Sequence, residues 1–308
     1  MKGVLLVNMG GPESPEEVKE FLKRMFLDKH IIAAPIFVRK FLSFYISTTR
    51  FKKSWARYQK IGGTPIKKIT KIQTNELQCK VANNYIVKYA YSYSKPFIAD
   101  ALIDFVKEEI NDISVIPLYP QRSITTTDSV IYDIEKEKKQ FPKLKINVIA
   151  EFYQNSLYVK YWKDAIDSHI IENNVHKPLL LFSAHSIPKS FIKKGDTYQK
   201  AIEESAKLIS ESCNLSYKVS YQSGMNPKTW LGPDTKDLIR ELASKSINEI
   251  VIIPISFISE NLETLYDIDQ FIVPEANKLN SKMKVSRVQI PVVNETFIQL
   301  LQNLIDQK

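Results

Sequence analysis

The chain has 308 residues, 44% hydrophobic and 25% charged, a composition that places it among globular proteins and excludes a disordered one. Its 43 Lys and Arg against 34 Asp and Glu leave a formal charge of +9, scattered without a run of five like charges; this argues against a nucleic-acid arm and suits an anionic ligand, an anionic membrane surface, or plain solubility. Two cysteines, Cys79 and Cys213, form no C-x-x-C pair, which excludes a cysteine-built zinc site or iron–sulfur cluster.

The first apolar run, residues 4–7, ends at Asn8 and is too short for a signal-peptide core. It reads as a strand. Ser14-Pro15-Glu16-Glu17 then form a capping box with proline at the first helical position, ahead of Val18, Phe21, Leu22 and Met25. Residues 31–81 predict two further helices, broken near Gly62-Gly63-Thr64-Pro65. A strand follows over 85–91, a helix from Pro96, and strands over 113–118 and 146–150.

A helix over 155–171 bridges to the second half, whose strands are expected at 179–182, 218–221, 250–255 and 284–288. Asp234 caps a helix between the second and third of these, and Glu263 opens another after the third. No apolar stretch approaches about 18 residues, so no bilayer-spanning helix is expected and the cytoplasm is the expected location.

Strand and helix alternate, four strands in each half, and several strands are continuous apolar runs. This predicts an α/β protein of two similar doubly wound domains, each a four-stranded parallel sheet flanked by helices. The expected domains are 1–155 and 156–308, with the last helix, 294–307, packing back on the first.

In such sheets ligands bind beyond the carboxyl ends of the strands. The residues found there include Met9 with Gly10-Gly11, Tyr93, Ser123, His185, Gln222-Ser223 and Phe257. His185 is one of four histidines and directly follows a buried strand, which brings a functional role level with the structural one that a lone histidine usually has. Glu263 and Asp267 are four apart and share a helical face. That face is either a solvated acidic stripe or a carboxylate path for a metal ion or protons. Neutral imidazole with carboxylate suits ferrous iron, zinc or nickel. Trp230, Tyr93, Phe257, Tyr58 and Met9 are either core or the lining for a flat apolar ligand. Gly10-Gly11 lacks G-x-G-x-x-G, and neither G-x-x-x-x-G-K-[ST] nor G-x-S-x-G occurs, which argues against nucleotide binding and hydrolase chemistry.

Six ordered segments resemble one known family, nearly end to end: NMGGPESPEEVKEFLKRMFLD, YQKIGGTPIKK, YPQRSITTTDS, FSAHSIP with KKGDTY, YQSGMNPKTWLGPDT, and PISFISENLETLYDID. The chain is identified as similar to the ferrochelatases. The resemblance implies a lyase that inserts ferrous iron into protoporphyrin IX, forming haem b in the last step of haem biosynthesis. It implies His185 and Glu263 at the metal and as the catalytic pair, and Asp267 on the ion or proton path. Met9, Arg50, Tyr58, Thr64, Tyr93, Ser123, Trp230 and Phe257 match positions that contact the porphyrin. Iron enters as substrate; no tightly bound cofactor is expected. The partners implied are the porphyrin and ferrous iron, with peripheral attachment to the inner face of a membrane compatible with the charge.

The sequence departs from the family pattern at several places. Glu260-Asn261 stand where the family has aspartate and histidine, Thr64 replaces a serine, Ser92 stands for an arginine, and Gly224 for a Lys or Arg. Arg122 can compensate at the porphyrin's carboxylates. The other functions the residues leave open are a chelatase for coproporphyrin or another tetrapyrrole, a porphyrin or haem carrier without catalysis, and a two-domain solute-binding protein.

Overall fold

A computed structural model describes residues 1–245 and 247–307. The chain divides into two compact units. One comprises Met1–Tyr119, Ser123–Glu151 and Leu301–Lys308; the other comprises Pro120–Arg122 and Phe152–Leu300.

The first unit holds strands β1 (Lys2–Asn8), β2 (Tyr85–Tyr91), β3 (Asp112–Pro117) and β4 (Lys145–Val148). They pair in parallel in the order β2-β1-β3-β4. The central strand β1 is buried from Gly3 onward, which is why its sequence reads as an unbroken apolar run. Its helices are α1 (Pro15–Leu27), α2 (Ile36–Thr49), α3 (Phe51–Lys60), α4 (Ile66–Val81), α5 (Ile98–Lys107) and α6 (Thr127–Lys138).

The start of α1 follows the expectation. The Ser14 hydroxyl accepts the Glu17 amide at 3.2 Å. The Glu17 carboxylate reaches one residue further back, to the Glu13 amide, and both acids are held by Lys67.

Residues 31–81 hold three helices rather than two, because α2 and α3 part at Arg50. No glycine or proline marks that break. The Thr49 hydroxyl donates to the Tyr45 carbonyl at 2.7 Å, a local bond that competes with the helix backbone and bends it. Likewise α5 begins at Ile98 and not at Pro96, since Asp100 caps the Phe97 amide at 2.8 Å.

The second unit repeats the plan with β5 (Leu179–His185), β6 (Tyr217–Gln222), β7 (Glu249–Ile253) and β8 (Lys284–Arg287), in the parallel order β6-β5-β7-β8. Its helices are α7 (Ser156–Glu172), α8 (Lys189–Lys193), α9 (Tyr198–Cys213), α10 (Thr235–Ala243) and α11 (Val273–Leu279). Immediately before α11 runs a π-helix, Glu263–Ile272. Asn155 and Asp234 cap α7 and α10 with their side chains, as their positions predict. The last helix, α12 (Glu295–Asp306), begins in the second unit, and the residues from Leu301 on belong to the first.

Each sheet has its own apolar core. Leu5, Val7, Leu102, Phe105 and Ile113 centre the first, and Leu181, Leu242, Ile250, Ile252 and Ile268 the second. In each, the first strand is flanked by the second on one side and the third on the other. The strand order therefore reverses between β1 and β3, and between β5 and β7, which is where such sheets open a ligand crevice.

Candidate active site

In the second unit the reversal lies beside His185. This residue is the last of β5, paired with Gln222 of β6. Its amide donates to the Ser256 hydroxyl just past β7, at 3.1 Å. Its carbonyl accepts the Tyr198 hydroxyl at 3.0 Å. Both sides of its peptide are thus pinned at the switch point.

The His185 ring meets that of Phe257 edge-on, 6.5 Å between centroids. Burial pushes the imidazole below its ordinary value of 6.5, and the charge of Asp267 opposes this only in part. The ring is therefore neutral at pH 7, with a nitrogen lone pair available to a proton or a metal ion.

Glu263 is half-buried at the first position of the π-helix. The amide of Val273 bonds to the carbonyl of Ile268, five residues back, where an α-helix would bond four back. The expected helix exists, but it is wound wide through the segment that carries Glu263 and Asp267. Asp267 accepts a long bond, 3.4 Å, from the hydroxyl of Ser223 beyond β6. Ser223 holds φ +63°, a backbone region unfavourable for a residue with a Cβ and one that clusters at functional sites.

Asn261, which departs from the family's histidine, has a local task. Its amide donates to the Thr264 hydroxyl and its side-chain oxygen accepts the Thr264 amide, both at 3.0 Å. Its side-chain nitrogen donates to the Ser259 carbonyl. The residue is 4% exposed, and it caps the start of the helix reciprocally.

Trp230 is laid beside this site. Pro188 and Trp230 form an antiparallel bridge, and the next amide, of Leu231, bonds to the Ile187 carbonyl at 3.0 Å. Gly224 approaches Ser186 and Trp230 closely. A Cβ there would stand 3.2 Å from the Ser186 hydroxyl oxygen, so a larger residue would press on that contact.

In the first unit, Met9, Tyr58 and Tyr93 join one apolar cluster with Val18, Phe21 and Leu22. Phe21 and Tyr93 meet edge-on at 6.0 Å. The Tyr93 hydroxyl donates to Asp28 at 2.8 Å. Gly10, with φ +83°, and Gly11 are required by close approach. A Cβ on Gly10 would strike the Ser94 hydroxyl oxygen, and one on Gly11 would lie 2.2 Å from the Thr64 hydroxyl oxygen. Thr64 therefore packs on the loop after β1.

Ser123 is 1% exposed. Its oxygen bonds to the Thr125 hydroxyl and accepts the Thr125 amide, which fixes the loop ahead of α6. Arg50 is exposed at the junction of α2 and α3.

His185, Asp267, Phe257 and Trp230 thus gather at the crevice end of the second sheet, with Glu263 on the same π-helix as Asp267. Met9, Tyr58, Tyr93 and Thr64 gather at that end of the first. Sequence reasoning placed Ser223 at a strand end without giving it a role, and did not single out Tyr198 or Ser256 as site residues. Tyr198 ends the GDTY segment, and the two serines each directly follow a strand or its turn. Among the described residues, no group of three or more His, Cys, Asp and Glu is arranged to hold a metal ion.

The family profile described as Ferrochelatase matches residues 1–308. The ferrochelatase of Aquifex aeolicus is 39% identical over 311 residues, covering 99% of this chain and 98% of that protein. The ferrochelatase of Gloeothece citriformis is 38% identical, covering 87% of this chain and 72% of that protein. Among solved structures, SirB from Bacillus subtilis with Fe3+ aligns over 99% of this chain and 96% of that chain, at TM-score 0.56 and 14% identity. CbiX, the terminal enzyme for biosynthesis of siroheme in denitrifying bacteria, aligns over 99% of both chains at TM-score 0.54 and 11% identity. These two likenesses show the fold alone.

Proposed function

Because the chain belongs to the ferrochelatase family, lyases that insert a metal ion into a porphyrin, we propose that it places ferrous iron in protoporphyrin IX, making haem b in the terminal step of haem biosynthesis. The observation that carries the site assignment is His185: a neutral imidazole fixed at the strand reversal of the second sheet, within the field of Asp267.

The overall change is the loss of two N–H protons from the macrocycle and the binding of one divalent ion by its four nitrogens. A flat ring resists this, because its lone pairs point at one another in the plane. Bending the ring exposes one lone pair. Strain of order 1–5 kcal/mol can be drawn from binding the rest of a large ligand. In the second unit, Trp230 and Phe257 supply apolar surface for the macrocycle. Neutral His185 accepts a pyrrole proton or ligates the incoming ion. Glu263 is its anionic partner, and Asp267, one turn on, carries protons out or ions in. A guanidinium pairs well with a carboxylate, which suits Arg122 to the porphyrin's propionates.

We place the enzyme in the cytoplasm with peripheral attachment to a membrane. No helix among the described residues is long and apolar enough to cross one. The support for attachment is α2, whose exposed aromatic side chains lie in a stretch free of acidic residues between Asp28 and Glu76.

Anaerobic incubation with ferrous iron and protoporphyrin IX, followed by absorbance, tests the proposal. Haem formation by the wild type and none by a folded His185→Ala variant is expected. Turnover retained by that variant would remove His185 from the site. Faster insertion into coproporphyrin would reassign the substrate. Tight porphyrin binding without insertion would make the protein a carrier.

A further inference from the structure

Arg287 plays no part in the assignment above, yet it is bound to both ends of the segment that carries Glu263 and Asp267. It is the last residue of β8, and only 2% of its side chain is exposed. A buried guanidinium is tolerated only when it is paired and hydrogen-bonded.

Its Nε and Nη2 donate to the two oxygens of Asp269, each at 2.6 Å. That is the two-pronged fork, which fixes orientation as well as distance. Its Nη1 donates to both Glu260 oxygens, at 2.9 and 3.2 Å, and to the Val288 carbonyl at 3.1 Å. Glu260 is itself fully engaged: one oxygen accepts the Ile290 amide at 2.8 Å, the other the Thr264 hydroxyl at 2.5 Å.

Glu260 lies three residues before Glu263, and Asp269 two beyond Asp267. One guanidinium on a β-strand therefore holds two points that bracket the metal-site carboxylates. A π-helix is a rare conformation, commonest as a single wide turn at functional sites. Here it starts on the Asn261–Thr264 cap and is tied through Asp269 to the sheet. The arrangement also sorts the acids of the segment. Glu260 and Asp269 bond to Arg287, whereas Asp267 accepts from Ser223.

We propose that Arg287 is a positioning residue for metal insertion: by clamping Glu260 and Asp269 it holds the π-helix in the register that aims Glu263 and Asp267 toward His185. This rests on the assignment of His185 and Glu263 to the metal site. It also gives a reason for glutamate at 260 where the family has aspartate. Glu260 has to meet Arg287, the Ile290 amide and the Thr264 hydroxyl at once, and its additional methylene extends its reach to all three.

The test is Arg287→Lys, which keeps the charge and removes the fork, with Asp269→Asn as the milder variant, which keeps side-chain size. Three readouts are needed on protein of verified fold: KM and kcat with ferrous iron varied, porphyrin affinity by fluorescence, and amide exchange over residues 263–269.

Expected for Arg287→Lys are porphyrin affinity within twofold of wild type, a tenfold or greater loss in kcat/KM for the metal, and faster exchange in the π-helix but not in β5. Asp269→Asn should move the same quantities in the same direction by less. Unchanged metal kinetics in a folded variant would overturn the inference, whether or not exchange speeds up, since the clamp would then be purely structural. If Arg287→Lys does not fold, unchanged metal kinetics in Asp269→Asn overturns it. A wild type that makes no metalloporphyrin, or a His185→Ala variant that still does, defeats the underlying site assignment instead, and the exchange data tell the two failures apart.

Discussion

At the scale of single residues, the informative side chains are those whose charge state the fold changes. His185 is kept neutral by burial, against the pull of Asp267. In the first unit Asp28 and Asp133 are driven in opposite directions. Burial alone would raise Asp28, but hydrogen bonds from His30, Ser129 and Tyr93 more than offset it and hold the carboxyl below its ordinary value. Asp133 goes the other way: burial and the nearby charge of Asp28 push it up to about 6, from 3.8, against the weaker pull of Lys136 and His30. A carboxyl raised on folding favours the folded state as the neutral acid. Its contribution is intact below pH 3.8 and is lost as pH rises through about 6. Asp133→Asn should therefore stabilise the protein at pH 7.5 by about 1–3 kcal/mol and give no gain at pH 4. Urea midpoints at the two pH values check this. A gain of equal size at both would mean that the carboxyl does not titrate with folding.

At the scale of elements, the segment after β7 shows how local and tertiary forces combine. Asn261 and Thr264 cap its start with bonds that sequence spacing allows, but the wide winding from Glu263 to Ile272 has no sequence signal of its own. Helix α2 is the other unusual element. Phe37, Phe41, Phe44 and Tyr45 are 70%, 67%, 66% and 56% exposed. Their spacing of four, three and one places them on one helical face. Lys40, Arg50, Lys52 and Lys53 are exposed on or just beyond the helix. An apolar face with basic neighbours suits insertion at an anionic lipid surface. Wild-type protein should co-sediment with vesicles containing phosphatidylserine, and a Phe37→Ser/Phe41→Ser/Phe44→Ser variant should lose most of that binding with its thermal stability unchanged. Equal sedimentation of the two would show that α2 is not the docking face.

At the scale of the whole molecule, two sheets repeat one strand order, and the C-terminal residues complete the first unit from the far end of the chain. Leu301, Leu304 and Ile305 are 0%, 8% and 2% exposed. Each such burial contributes about 1.5–3 kcal/mol, and a domain's total stability is only about 5–15 kcal/mol. Deleting residues 301–308 should therefore lower protection of the β1–β4 amides by a hundredfold or more, and leave β5–β8 nearly unchanged. Hydrogen exchange read strand by strand decides it; equal loss in both sheets would mean the two units unfold as one.

The sequence alone determined whatever depends on local order and residue type. Strands β1, β5 and β7 announce themselves as apolar runs because a central strand of a parallel sheet is covered on both faces. Helix starts at Ser14, Asn155 and Asp234 are legible because a cap needs only its own neighbours. His185 was legible because it ends such a strand, and the ordered motifs identified the family. What only the tertiary structure decided are features whose partners are distant in the chain. The break at Arg50 has no glycine or proline to mark it. Ser256 and Tyr198 meet the His185 peptide from other elements. Asn261 serves as a cap and Glu260 as an ion-pair partner because Thr264 and Arg287 come to meet them. Pairings across 27 residues, such as Glu260 with Arg287, leave no periodic trace in a sequence. They arise where two strands and a helix converge, and only the folded sheet brings those together.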